Sequence, residues 1–145
     1  MKRLNIFINA TAATESGALI ILKQLYEAIK DYANTNNRYY IFCSVNLAAD
    51  NVGHIKIVND IKAKKIFHRI YWELFGLKKW SKKNKIYADV IISLQNTGFR
   101  YFSMTKKIVY LHQSIPFEKK VKWNIFNPFQ RKSWFYKHIY FRLIK

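Results

Sequence analysis

The sequence predicts an α/β fold in which a parallel β-sheet is flanked by helices. Three observations carry this expectation. Apolar runs of strand length recur along the 145 residues. Stretches with helical periodicity alternate with them. The run Ile108-Val109-Tyr110-Leu111 is apolar on both faces, which suits a strand buried in a parallel sheet rather than one half-exposed to water.

The elements follow in order. "RLNIFINA" is strand-like and leads into the small, polar turn "TAATESGA". In "ALIILKQLYEAIKDYA" the apolar residues Leu19, Leu22, Leu25, Tyr26 and Ile29 recur at the three-to-four spacing of an amphipathic helix. "NTNNR" reads as a turn, "YYIFCSV" as a second strand and "HIKIVN" as a shorter third. Helical periodicity returns from Ile61 to about Phe75, "ADVIISLQN" supplies a fourth strand and "KKIVYLH" a fifth. Together these make a Rossmann-like parallel sheet.

The last segment, "NPFQRKSWFYKHIYFRLIK", opens with helix-start chemistry: Asn127 can cap, Pro128 fits the first helical position and Gln130 completes a capping box. No glycine or polar turn closes that helix before Lys145. The expectation is a Rossmann-like unit over residues 1–117 followed by a basic, aromatic helical segment over 118–145. A missing stop signal favours a chain cut short over a naturally terminal helix.

Composition narrows the function classes. Half the residues are hydrophobic, which argues against disorder, and the lone Cys43 lies in an apolar run, as a buried thiol in a reducing compartment would. Asn5 and Asn9 interrupt the first apolar run, which argues against a secretory signal, and no uncharged stretch approaches the length of a membrane span. Basic residues outnumber acidic ones 26 to 8, and the excess is uneven: residues 1–55 hold five basic and four acidic side chains, so nearly all of it falls after Ile55. Such a field attracts phosphate-bearing partners, whether nucleic acid, anionic lipid or a lipid-linked diphosphate.

Three sets of residues are candidates for function. The first is the turn ending in Ser16 and Gly17, where free backbone N–H groups at a helix start favour an anion and a glycine admits close approach; equally, Ser16 caps the helix and Gly17 relieves the turn. The second is the pair His112 and Gln113, just past the fifth strand, where open α/β sheets bind ligands; a structural histidine is the alternative. The third comes from unrolling residues 61–83 at 100° per residue. Provided that Gly76 does not end the helix, Ile66, Ile70, Leu74 and Leu77 fall on one side and Lys65, Arg69, Trp72, Lys79 and Lys83 on the other. That outward face is either simply solvated or suited to anionic headgroups, with Trp80, Trp123 and Trp134 as further interfacial rings. His54, His68 and His138 lack partners at metal spacing, the Asp-x-Asp clamp is absent, and no cofactor or metal is expected.

"INATAATESGALIILKQL", "RIYWE", "DVIISLQNTG" and above all "KIVYLHQSIPF" resemble the N-terminal half of two-Rossmann-domain (GT-B type) glycosyltransferases, in particular the group-1 (family 4) enzymes of bacterial surface polysaccharides. The likeness runs to about Phe117. It implies half of a GT-B architecture: an acceptor-side domain, with the nucleotide-sugar donor held mainly by a second domain absent from this sequence. It further implies that Gly17 borders the donor phosphates, that His112 sits beside the transferred sugar as the catalytic-site residue, and that Asn96 lines the same crevice. Many relatives carry two or three glycines in the first turn, whereas only Gly17 stands here. The implied acceptor is a lipid-linked sugar or glycan, the implied place the cytoplasmic face of a membrane, and this fragment alone is expected not to turn over. A nucleic-acid-binding module is the alternative that the charge and the aromatics suggest, although no recognised nucleic-acid motif is present.

Overall fold

The computed structural model describes residues 2–32, 36–47, 52–61, 66–95, 97, 98, 100–111, 118, 120–135, 137 and 138. Strands β1 (Asn5–Ala10), β2 (Arg38–Cys43), β3 (Ile55–Val58), β4 (Val90–Ser93) and β5 (Lys106–Val109) form one sheet in the order β3-β2-β1-β4-β5. Every pairing is parallel. Helix α1 (Ser16–Tyr32) links β1 to β2; α2 (Ile66–Tyr71), a π turn (Trp72–Gly76) and α3 (Leu77–Asn84) precede β4; a short α4 (Arg131–Phe135) lies near the C-terminus. This is the expected α/β, Rossmann-like parallel sheet with flanking helices.

Alternation along the strands builds a core on each face. Ile8, Ala10, Ile41 and Cys43 point to the side covered by Leu22, Tyr26 and Ile29 of α1. Phe7, Tyr40, Phe42 and Ile91 point to the other side, against Leu77, Trp80, Trp72 and Tyr101. The second core is a ring cluster: Trp80 meets Phe42, Phe7 and Tyr40 edge-on, at centroid distances of 4.9, 5.6 and 5.9 Å. Such pairs add about 0.5–1.5 kcal/mol each beyond area burial.

At the amino ends of the strands Asp89 ties three strands together. Its carboxylate accepts from Asn5 N (2.9 Å) and Lys2 Nζ (3.1 Å), its own N–H donates to the Asn5 carbonyl, and its carbonyl accepts from Lys106 N. A hollow of about 310 Å³ between Leu4, Asp89 and Lys106 opens at this same end.

Three expectations need correction. The apolar run of the fifth strand is not buried: β5 is the outer strand, paired to β4, and Ile108, Tyr110 and Leu111 are exposed because no described helix covers them. The helix over 61–83 continues through Gly76, as the unrolling required, but not at a constant 100° per residue. Leu77 N bonds to the Trp72 carbonyl across five residues, and this π turn rephases the helix. Ile70 becomes exposed, while Trp72 and Glu73 turn toward the sheet. Finally, the Asn127 side chain does act as a cap, accepting from Phe129 N at 3.0 Å, but Gln130 does not complete a capping box. Its Oε1 accepts instead from Asn124 N, closing the loop before α4.

Candidate functional site

The order of strands reverses at β1 and β4, which run side by side with β2 and β3 on one flank and β5 on the other. Ligands of open α/β sheets bind beyond the carboxyl ends of the strands at such a switch point. Here the chain leaves β1 through Thr11 and β4 through Leu94, Gln95 and Thr97, and Leu94 N still bonds to the Asn9 carbonyl (2.9 Å).

These carboxyl ends carry polar side chains that are fully enclosed: Asn9, Thr11, Ser93, Gln95 and Thr97 are all buried. Trp72 Nε1 donates to Asn9 Oδ1 (3.1 Å), Thr11 Oγ1 donates to the same oxygen (3.3 Å), and Gln95 Nε2 donates to Thr11 Oγ1 (2.7 Å). The helix supplies a second arm. Arg69 Nε pairs with Glu73 Oε1 at 3.1 Å across one helical turn, Arg69 Nη2 donates to the Gln95 carbonyl (3.2 Å), and Thr97 Oγ1 donates to Glu73 Oε1 (2.8 Å). One ion pair thus grips the loop after β4 at residues 95 and 97. Burial pushes the Glu73 carboxyl above its ordinary value, opposed by the Arg69 charge and the bonds from Thr97 and Arg69.

The residues picked out from the sequence fare unequally. Ser16 and Gly17 open α1 on the switch-point side of β1. Nothing lies within 4 Å of a Cβ built on Gly17, and its φ is not positive, so neither turn geometry nor internal packing demands glycine there. Arg69 and Trp72, expected on the outward basic face, point inward: Arg69 is ion-paired, while Trp72 leans on Phe42 (5.6 Å) and bonds Asn9. Trp80 belongs to the core. Lys79 and Lys83 are exposed, as expected. Lys65, Asn96, His112 and Gln113 lie outside the described residues.

Sequence reasoning passed over Asn9, Thr11, Glu73, Gln95 and Thr97. Two signals pointed to them: polar residues clustering where apolar strand runs end, in "INAT" and "SLQNT", and an acid four residues after Arg69 on a helix. Among the described residues no group of three His, Cys, Asp or Glu side chains could hold a metal ion, and no helix is long and apolar enough to cross a membrane. Comparison with family models, curated proteins and solved structures finds no match to this chain.

Proposed function

We propose that the chain is the acceptor-side domain of a glycosyltransferase, receiving a lipid-linked or polysaccharide sugar at the carboxyl ends of β1 and β4 while the nucleotide-sugar donor is held mainly by a second domain. The observation that carries this reading is the floor of the switch point, built from the amides of Asn9 and Gln95, the hydroxyl of Thr11 and the indole of Trp72. Amides, hydroxyls and an aromatic ring suit a neutral, hydroxyl-rich ligand. The start of α1 adds backbone N–H groups to the same end of the sheet, and no atom lies within 4 Å of a Cβ at Gly17 to hinder an anion's approach. His112 and Asn96 keep the roles that the resemblance implies, beside the transferred sugar and in the crevice wall.

Association with the cytoplasmic face of a membrane belongs to the same proposal. Lys79, Lys82, Lys83 and Lys85, exposed on and just after α3, support it as a cationic face for anionic headgroups. The nucleic-acid alternative loses two of its stacking platforms, because Trp72 and Trp80 pack against the sheet.

The full product of the gene, incubated with radiolabelled nucleotide sugars and a lipid-linked acceptor fraction, should incorporate sugar. Gly17→Ala and His112→Ala should each lower incorporation at least about tenfold, the effect of losing roughly 1.4 kcal/mol of transition-state stabilisation, without lowering Tm. No incorporation from any donor, together with tighter binding to single-stranded DNA than to anionic liposomes at equal salt, refutes the proposal in favour of nucleic-acid binding.

A further inference from the structure

The π turn decides what the helix shows to solvent as well as what it buries. With Trp72, Glu73 and Leu77 turned toward the sheet, Tyr71 and Phe75 are left on the other side, each 53% exposed, and Ile70 stands beside them at 41%. The two rings lie against each other with centroids 5.8 Å apart. Lys79 follows Phe75 at the same four-residue spacing, and Lys82 and Lys83 come a turn further on, all three exposed. The outer ridge of the helix is therefore aromatic over its first half and cationic over its second.

Charge and shape select the partner of this ridge. Between Ile61 and Ala88 the only acidic residue in the sequence is Glu73, which is buried and paired with Arg69, so no acid on this helix offsets the lysines. The partner that complements them is anionic. The ridge is also convex, being the outer side of a helix that packs on the sheet through Leu77 and Trp80. Its rings and its cations occupy separate turns. A single nucleic-acid strand calls for the opposite arrangement, stacking rings set within a cationic groove. A lipid surface calls for this one: a projecting apolar cluster, an aromatic hydroxyl at headgroup level and lysines alongside.

From this we infer that Ile70, Tyr71 and Phe75 form a wedge that enters the boundary between headgroups and acyl chains of an anionic membrane, while Lys79, Lys82 and Lys83 lie on the headgroups beside it. The inference deepens the membrane association proposed above and rests on it. The lysines attract from a distance, and the wedge sets which face of the sheet meets the bilayer, the one covered by α3.

The test measures co-sedimentation of the 145-residue chain with vesicles as salt is raised. Vesicles of phosphatidylcholine and phosphatidylglycerol in equal parts should bind it, and vesicles of phosphatidylcholine alone should not. The double variant Tyr71→Ser/Phe75→Ser should bind the mixed vesicles about tenfold or more weakly with an unchanged salt slope, because it removes apolar area and no charge. Replacing Lys79, Lys82 and Lys83 by glutamine should weaken binding about fivefold per lysine and flatten the slope. Phe75→Trp keeps an interfacial ring, so it should bind at least as tightly as wild type, and lipids brominated in their acyl chains should quench its fluorescence more than that of wild type. That variant decides alone should the double one not fold. Tyr32→Ser, which removes a ring 88% exposed at the end of α1, should leave binding unchanged. Binding that survives Tyr71→Ser/Phe75→Ser, or that is lost instead when the exposed rings of Phe126 and Phe129 are replaced by serine, overturns the wedge and leaves membrane association standing. Tighter binding to single-stranded DNA than to mixed vesicles, lost with Tyr71 and Phe75, overturns it in favour of base stacking. No binding to either kind of vesicle overturns the wedge and the membrane association together, while the acceptor-side reading still stands or falls on sugar incorporation.

Discussion

Replacing Gly76 by alanine sets two effects of opposite sign against each other, and the structure decides between them. Gly76 lies inside a helical run, with φ −60° and ψ −49°. An alanine there gains about 0.8–1 kcal/mol of helix propensity. A Cβ at this position, however, runs into the Trp72 indole at Cε3, with Cδ2 only 3.0 Å and Cζ3 3.2 Å away. These atoms belong to a ring pinned on both sides, by Phe42 and by the bond from Nε1 to Asn9. Making room means tilting the indole, at an overpacking cost of about 1–3 kcal/mol. The hydrogen bond to a fully buried amide is weakened at the same time, for about a further 1 kcal/mol. The cost exceeds the gain, and the net loss is about 1–3 kcal/mol.

Gly17→Ala is the internal control. It is the same substitution near the start of α1, but with nothing within 4 Å of the new methyl group. It should leave stability unchanged or raise it by up to about 1 kcal/mol. At this chain length 1 kcal/mol corresponds to roughly 3 °C. Thermal unfolding should therefore show Gly76→Ala falling by about 3–9 °C while Gly17→Ala holds or rises. The Trp72 indole N–H resonance should move in the first variant only. A Gly76→Ala protein as stable as wild type, with that resonance in place, refutes the account of the π turn as a device that seats Trp72.

Glu73→Gln keeps the shape of the side chain and removes its charge; since burial favours the neutral form, the variant should be at least as stable as wild type near neutral pH by urea unfolding. Because burial raises the Glu73 pKa, its contribution to stability is full below the ordinary glutamate range and declines as pH rises through the raised value; the variant should lack that decline. Asp89 behaves oppositely. The N–H of Asn5 is the largest cause of its lowered pKa, so its contribution is present above the ordinary aspartate value and disappears as pH falls through the lowered one. Asp89→Asn should flatten that acid limb and cost about 1 kcal/mol or less at neutral pH, since the carboxylate is partly solvated. Burial lifts the Cys43 thiol from 9.0 to about 11, so stability should drop as pH climbs between those values. At neutral pH Cys43 should resist a thiol reagent until the protein unfolds, and rapid modification of the folded chain would contradict its burial.

The fold is legible because apolar runs and helical spacing are local signals. Each strand lies within its sequence run except β2, which begins one residue earlier, at Arg38 of the expected turn. The errors come where neighbours decide. Ile108 and Tyr110 read as core residues, but an apolar run cannot say whether its strand lies in the middle of a sheet or at its rim. Arg69 and Trp72 read as surface residues because the unrolling assumes an unbroken 3.6-residue period, and a single π turn rotates the residues on one side of it against those on the other. Asn9 reads as an interruption that weakens the case for a signal peptide. Its value lies in facing Trp72 from 63 residues away, a relation with no local trace.

That relation makes the switch point a joint as well as a crevice. Phe42, Trp72 and Trp80 are part of the aromatic core that stabilises the β2 side of the sheet, and the indole nitrogen of the same Trp72 donates to Asn9 Oδ1, the first bond of the relay that runs through Thr11 to Gln95. Apolar residues in place of the whole relay from Trp72 to Gln95 would pack there without unsatisfied atoms, and a buried ion pair is often no better for stability than well-packed hydrocarbon. The chain instead places a polar relay and the Arg69–Glu73 pair at the carboxyl ends of β1 and β4. Stability alone does not account for that choice, because local rules are broken here and kept through the rest of the sheet core, the pattern expected where function constrains a fold. The inward turn of Arg69 and Trp72 removes them from the surface that the excess of basic residues had marked for phosphate-bearing partners. In exchange the fold gains a neutral, hydrogen-bonded cluster at the carboxyl ends of β1 and β4, with the lysines of α3 left outside it.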